Sequence, residues 1–164
     1  MDTLRHSGSI VINRSPEEVY ALISDVTNMG AWSPVCKACW WDEGDGPRIG
    51  AMFTGRNEAG DRTWETRSEV LAADPGKEFA WVIAEPPTRA RWGYTFKAVD
   101  GGTEVTESWE LPPEGQEFFE QRIHLLHILL ERIESSKPVE VLNRIAFCTG
   151  QRHPLDRSAQ FRER

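Results

Sequence analysis

The chain has 164 residues, with 39% hydrophobic and 27% charged side chains, and carries a formal net charge of −7. That length is one domain's worth and can bury a real core. The acidic balance argues against nucleic acid or an anionic membrane as main partner, because both select basic surface. Residues 135–164 run the other way, with six basic against three acidic side chains, the composition of a solvated end. The N-terminus is a short polar lead without the long apolar core of a signal peptide, and no stretch has the length of a membrane-spanning helix. The reading is a cytoplasmic protein with reduced cysteines.

Ser7–Asn13 alternates and is expected to be a strand. Ser15-Pro16-Glu17-Glu18 then announces a helix, with Ser15 as N-cap, Pro16 in its first turn and Glu18 closing a capping box. Val19, Leu22 and Ile23 mark its buried face. Asp25 can cap a second short helix through about Gly30, ended by Trp32-Ser33-Pro34. Trp32 is a candidate lid residue.

Six strands follow, over Val35–Asp42, Ala51–Asn57, Arg62–Ala72, Glu78–Ile83, Arg89–Val99 and Thr103–Leu111, separated by Gly-, Asp- and Pro-rich turns. Such spacing predicts hairpins and an antiparallel meander. A long helix is expected from about Glu114 to Ser135, where Phe119, Ile123, Leu126, Leu130 and Ile133 form one apolar stripe. Lys137-Pro138 stops it, with a further helical turn or two open at Val139–Phe147 and poor order expected after Cys148. The predicted fold class is α+β, a curved antiparallel sheet of about seven strands wrapped round a long C-terminal helix. The domain is drawn over 1–136, and 137–164 is a C-terminal extension, partly helical or disordered. One helix cannot cover a seven-stranded sheet unless the sheet curves, and the space between them is a ligand-pocket candidate.

Alternation assigns the faces. Phe53, Gly55 and Asn57 point inward, as do Trp64, Thr66, Ser68 and Val70. So do Phe79, Trp81 and Ile83, then Trp92, Tyr94 and Phe96, then Val105, Glu107, Trp109 and Leu111. Trp64, Trp81, Trp92 and Trp109 are four of the seven tryptophans, so the inner wall concentrates indoles. They either fill the core or line a flat slot for an aromatic ligand. Glu107 lies between Val105 and Trp109, where an unpaired charge is costly. It is either a structural acid bonded to Tyr94, a tryptophan N–H or Asn57, or a proton donor and acceptor. His127 flanks the helix stripe beside Ile123 and Leu130, either as a satisfied boundary residue or as a hydrogen-bonding group of the pocket. Tyr94 and His127 join Glu107 as catalytic candidates.

Cys36 and Cys39 form a CxxC. In a regular strand, positions i and i+3 point to opposite faces, so the two sulfurs are expected to diverge and behave as ordinary half-buried cysteines. A zinc site needs a second ligand pair, and none has matching spacing. Neither a metal nor a cofactor is expected.

The segments Ser9–Asp25 (SIVINRSPEEVYALISD), Asn28–Pro34 (NMGAWSP), Gly46–Asn57 (GPRIGAMFTGRN), Trp64–Phe79 (WETRSEVLAADPGKEF) and Gly102–Leu111 (GTEVTESWEL), in this order and spacing, resemble the START-like, helix-grip superfamily called SRPBCC. The branch it looks closest to is polyketide cyclase/dehydrase and lipid transport, over residues 7–134. The resemblance implies a deep cavity between sheet and long helix for hydrophobic small molecules. Its members include carriers of lipids, sterols and plant metabolites, aromatase/cyclases and co-chaperones, so no catalytic residue carries over. This chain departs from the pattern by continuing to Arg164 and by the histidines on its long helix.

Three functions follow. The first is binding or carriage of a small hydrophobic molecule, aromatic or lipid-like, by Phe53, Asn57, Trp64, Trp81, Trp92, Tyr94, Glu107, Trp109, Ile123, His127 and Leu130, in a monomer or weak homodimer. The second is a cyclase or dehydratase using Glu107 as acid/base. The third is a protein–protein module with the Arg-rich tail as docking element.

Overall fold

A computed structural model describes residues 2–44, 46–123 and 138–148. The first strand, β1 (Leu4–Ile12), leads into α1 (Pro16–Ser24) and a 3-10 helix (Val26–Ala31). Six strands follow: β2 (Cys36–Trp41), β3 (Met52–Ala59), β4 (Arg62–Asp74), β5 (Glu78–Ile83), β6 (Arg91–Val99) and β7 (Gly102–Leu111). Two helices, α2 (Pro113–Ile123) and α3 (Pro138–Cys148), complete the described chain. All seven strands form one curved antiparallel sheet in the order β1-β7-β6-β5-β4-β3-β2. The meander pairs each strand with the next, and β1 closes on the far side against β7.

Local chemistry sets these elements. Ser15 Oγ accepts from the Glu18 amide at 3.3 Å, while the Ser15 amide donates to Glu18 Oε2 at 2.9 Å. This reciprocal pair satisfies donors that a helix start leaves open. Asp25 Oδ1 accepts from the Thr27 amide at 3.1 Å and so opens the 3-10 helix. The β6–β7 turn ends at Gly102, whose φ is +137° and whose side chain, were there one, would fall on the Ile12 carbonyl. Only glycine allows that approach, which seats the hairpin against the end of β1. At the other end of β7, buried Gln116 donates to the Asp2 carbonyl at 2.7 Å and the Leu111 carbonyl at 3.1 Å. One amide thereby ties the chain's start to the start of α2.

The core lies on the inner face of the sheet. α1 contributes Val19, Tyr20 and Ile23, and Tyr20 meets Phe79 and Phe96 edge-on at 6.4 and 5.8 Å. Trp32 is only 2% exposed and belongs to this core, so the loop that carries it is anchored there and is not poised as a lid.

Of the expected long helix, α2 covers the part to Ile123, and the expected continuation with Leu126, Leu130 and Ile133 lies outside the described residues. After Pro138 the chain is helical again. α3 packs against β1 and buries Val141, Leu142, Ile145 and Ala146 in the same core as α1. Leu142 and Ile145 have no exposed surface, although the sequence reading sets 137–164 apart from the domain. Among the described residues no helix is long and apolar enough to cross a membrane.

Candidate functional site

The middle of the sheet gathers most of the predicted wall. Trp81 stands opposite Trp92, and Trp92 opposite Trp109. One step along, Phe79 stands opposite Tyr94, and Tyr94 opposite Glu107. Antiparallel pairing places such residues side by side on one face. Trp81 and Trp92 are nearly parallel, with centroids 6.4 Å apart and planes at 11°. Trp81 also stacks on Tyr94 at 5.9 Å and meets Phe53 at 5.8 Å. Trp109 meets Trp92 at 6.0 Å and 61°. These separations are those of favourable aromatic pairs, so the wall is rigid and its ring faces are fixed.

Glu107 is buried in this wall. Its carboxylate accepts a hydrogen bond from Tyr94. Burial drives the carboxyl up to a pKa of about 7, and the Tyr94 bond offsets only part of that rise. Burial, with the neighbouring carboxylate, holds the Tyr94 hydroxyl well above its ordinary value, so Tyr94 remains a donor. The other carboxylate oxygen, Oε2, is buried without a hydrogen-bond partner among the described residues. The same is true of Trp109 Nε1, two residues further along the same face. An unpartnered acceptor and an unpartnered donor, side by side among aromatic rings, are costly for the protein alone. Opposite Glu107, β1 places Gly8, which offers no side chain to satisfy it.

Not every expected residue joins the group. Asn57 is buried on the inner face, but its amide donates to Thr66 Oγ1 at 3.1 Å and the Gly55 carbonyl at 3.2 Å, and not to Glu107. Trp64 pairs with Asn57 in register but is 39% exposed, because it lies at the hairpin end of β4, beyond the covered part of the sheet. Ile123 closes the described part of α2, and His127 and Leu130 lie outside the described residues. A recess of about 310 Å³ beside the β1–β7 pair is lined by Arg5, His6, Ser7, Ser108, Trp109 and Glu110. It shares only Trp109 with the aromatic wall.

Two contributors escaped the sequence reading. Tyr20 precedes Ile23 by three residues, a helical spacing that could have placed it on the buried face. Trp41 meets Phe53 edge-on at 5.7 Å. Its face was hidden by a bulge between Cys36 and Ala38, which shifts the alternation of β2 by one residue. The same bulge overturns the expectation for the CxxC. Both thiols are buried and face Gly55, lying 3.3 and 3.5 Å from where a side chain there would begin.

Comparison with known proteins matches residues 3–123 to the family described as polyketide cyclase / dehydrase and lipid transport. The chain belongs to this family. A similar solved structure is the Polyketide_cyc-like protein Cgl2372 from Corynebacterium glutamicum, 36% identical, with 99% of each chain covered and a TM-score of 0.65. The fold also recurs in protein NE0264 from Nitrosomonas europaea, at 13% identity, TM-score 0.64 and coverage of 87% of this chain and 92% of that one. It recurs again in BexL, a di-domain ARO/CYC from the BE-7585A biosynthetic pathway, with 12% identity and a TM-score of 0.69. There the match covers 92% of this chain and 51% of the di-domain chain. No curated protein matches.

Proposed function

We propose that this protein binds a small hydrophobic molecule, aromatic and bearing an oxygen substituent, against the wall formed by Trp81, Trp92, Tyr94 and Trp109. The observation that carries this reading is the pair of buried polar atoms, Glu107 Oε2 and Trp109 Nε1, that have no partner among the described residues and are set among packed aromatic rings. A ligand hydroxyl can donate to the carboxylate, and a ligand carbonyl or hydroxyl oxygen can accept from the indole N–H. Aromatic faces supply area and orientation, and the two polar atoms supply selectivity for oxygenated rings over plain hydrocarbons. The family description, polyketide cyclase / dehydrase and lipid transport, and the fold shared with an ARO/CYC di-domain protein fit a hydrophobic, polyketide-like ligand.

The test begins with native mass spectrometry of the purified full chain and solvent extraction of anything retained. Naphthol and hydroxyanthraquinone are then titrated while tryptophan fluorescence is followed. Saturable quenching is expected, with binding weakened about three- to tenfold in Trp109→Phe, the loss of one hydrogen bond. Absence of both a retained molecule and any quenching would overturn the reading.

A second reading, acid/base catalysis, is favoured by one observation: the Glu107 carboxyl titrates near neutrality. A group with that pKa can give and take a proton at physiological pH, and Tyr94 beside it can steady the developing charge. The two readings separate in Glu107→Gln. Loss of product formation from a polyketide-like substrate with binding retained within a few-fold supports catalysis, unchanged conversion removes Glu107 as the acid/base, and a parent protein that binds the substrate without converting it leaves carriage alone.

A further inference from the structure

We propose that Cys36 and Cys39 are a redox-active dithiol pair that a small hydroperoxide closes to an intramolecular disulfide. The sequence motif alone does not carry this, since three residues along a regular strand separate side chains to opposite faces. The bulge between Cys36 and Ala38 supplies the missing half-turn. It brings both sulfurs over Gly55 of the neighbouring strand, 3.3 and 3.5 Å from the position its absent side chain would occupy. Glycine there leaves the sulfurs room, and a larger residue would push into both.

The two thiols are hydrogen-bonded to each other, and the Cys36 thiol also contacts the Ala38 carbonyl at 3.4 Å. That contact network divides the roles. Cys36 is the more acidic, because its thiolate accepts from the Cys39 S–H, and the nearby Lys37 adds to the effect. Cys39 is held firmly protonated by the same bond and by burial. Cys36 is therefore the attacking sulfur and Cys39 the resolving one. The Cys36 thiolate attacks one peroxide oxygen, the O–O bond breaks, and the other oxygen leaves as water or alcohol after taking up a proton. The resulting sulfenic acid is attacked by the Cys39 sulfur. An S–S bond forms, the S–O bond breaks, and the hydroxyl leaves as water with the Cys39 proton. Two thiols lose two electrons and the hydroperoxide gains them. The pair is only 5% and 7% exposed, which favours a small oxidant over a bulky disulfide. Among the described residues no group of three His, Cys, Asp or Glu side chains assembles.

The test uses the full chain with Cys148→Ser, because Cys148 is exposed and would cross-link molecules. The folded protein is treated with hydrogen peroxide and quenched with catalase, then unfolded, alkylated with iodoacetamide and weighed intact. The expected result is loss of both alkylatable thiols together, with a mass about 2 Da below the unalkylated reduced chain, about 116 Da below the alkylated reduced control, and full recovery on adding dithiothreitol. Glutathione disulfide at the same concentration is expected to act at least tenfold more slowly. Independent alkylation of the two cysteines, or accumulation of sulfinic acid on one of them, would overturn the proposal. The parent measurement needs no core substitution. In Cys39→Ser, dimedone is expected to trap a sulfenic acid on Cys36, and its absence would count against the assigned roles.

Discussion

Replacing Glu107 by glutamine is expected to remove about 3 kcal/mol of pH dependence from the protein's stability between about pH 4 and about pH 8. The folded carboxyl titrates at about 7, whereas its ordinary value is 4.5. Between those values the folded protein holds a proton that the unfolded chain has already released. Stability therefore falls as pH rises through this window, and the full loss is reached once pH exceeds the folded pKa. Glutamine keeps the shape and the acceptor for Tyr94 but cannot ionise. Its amide brings an added donor pair, which costs about 1–3 kcal/mol if unsatisfied, so the variant is not expected to be more stable at every pH. The decisive quantity is the difference between variant and parent, followed by urea unfolding across the window. It should move by about 3 kcal/mol in favour of the variant on going to alkaline pH. Parallel profiles would mean that water or another group already satisfies the carboxylate, which removes the physical basis for a ligand at Oε2.

The second large effect concerns α3. Leu142→Ala and Ile145→Ala are each expected to cost about 2–5 kcal/mol, the range for emptying a fully buried aliphatic site. Neither side chain has exposed surface, and both belong to the cluster that holds Ile12, Val19 and Phe79. The two lie three residues apart on one helix face, so the double variant should not equal the sum. Cys148→Ser, exposed at the end of the same helix, is the control and should stay within about 0.5 kcal/mol. Tryptophan fluorescence and far-ultraviolet circular dichroism should report one coincident urea transition in each case. Shifts no larger than the control's would mean that the domain stands without α3 and that the helix is an appendage docked on β1.

These two sites differ in how far the chain alone announces them. The succession of strands along the chain, the capping box at Ser15–Glu18 and the inner row Val105-Glu107-Trp109 follow from local rules. Alternation at period two and a helix start each need only a few neighbouring residues to be read. That is why Glu107 and the tryptophans of β5, β6 and β7 can be placed on one face from the order of residues alone. Three matters needed the tertiary structure. The bulge in β2 depends on pairing with β3, and it alone turns Cys36 and Cys39 to the same side and Trp41 toward Phe53. The depth of burial along a strand depends on what covers it, so Trp64 obeys the alternation and still stands 39% exposed, while Trp32 in a connecting loop is sealed in the core. The partner of a buried polar atom depends on which strands meet. Asn57 turns to Thr66 and Tyr94 turns to Glu107, while Glu107 Oε2 and Trp109 Nε1 find no partner among the described residues. Sequence by itself determined which residues can share a face, because the backbone's period is local. Only the fold decided which of them are covered, paired or left unsatisfied, because those properties belong to contacts between segments far apart in the chain.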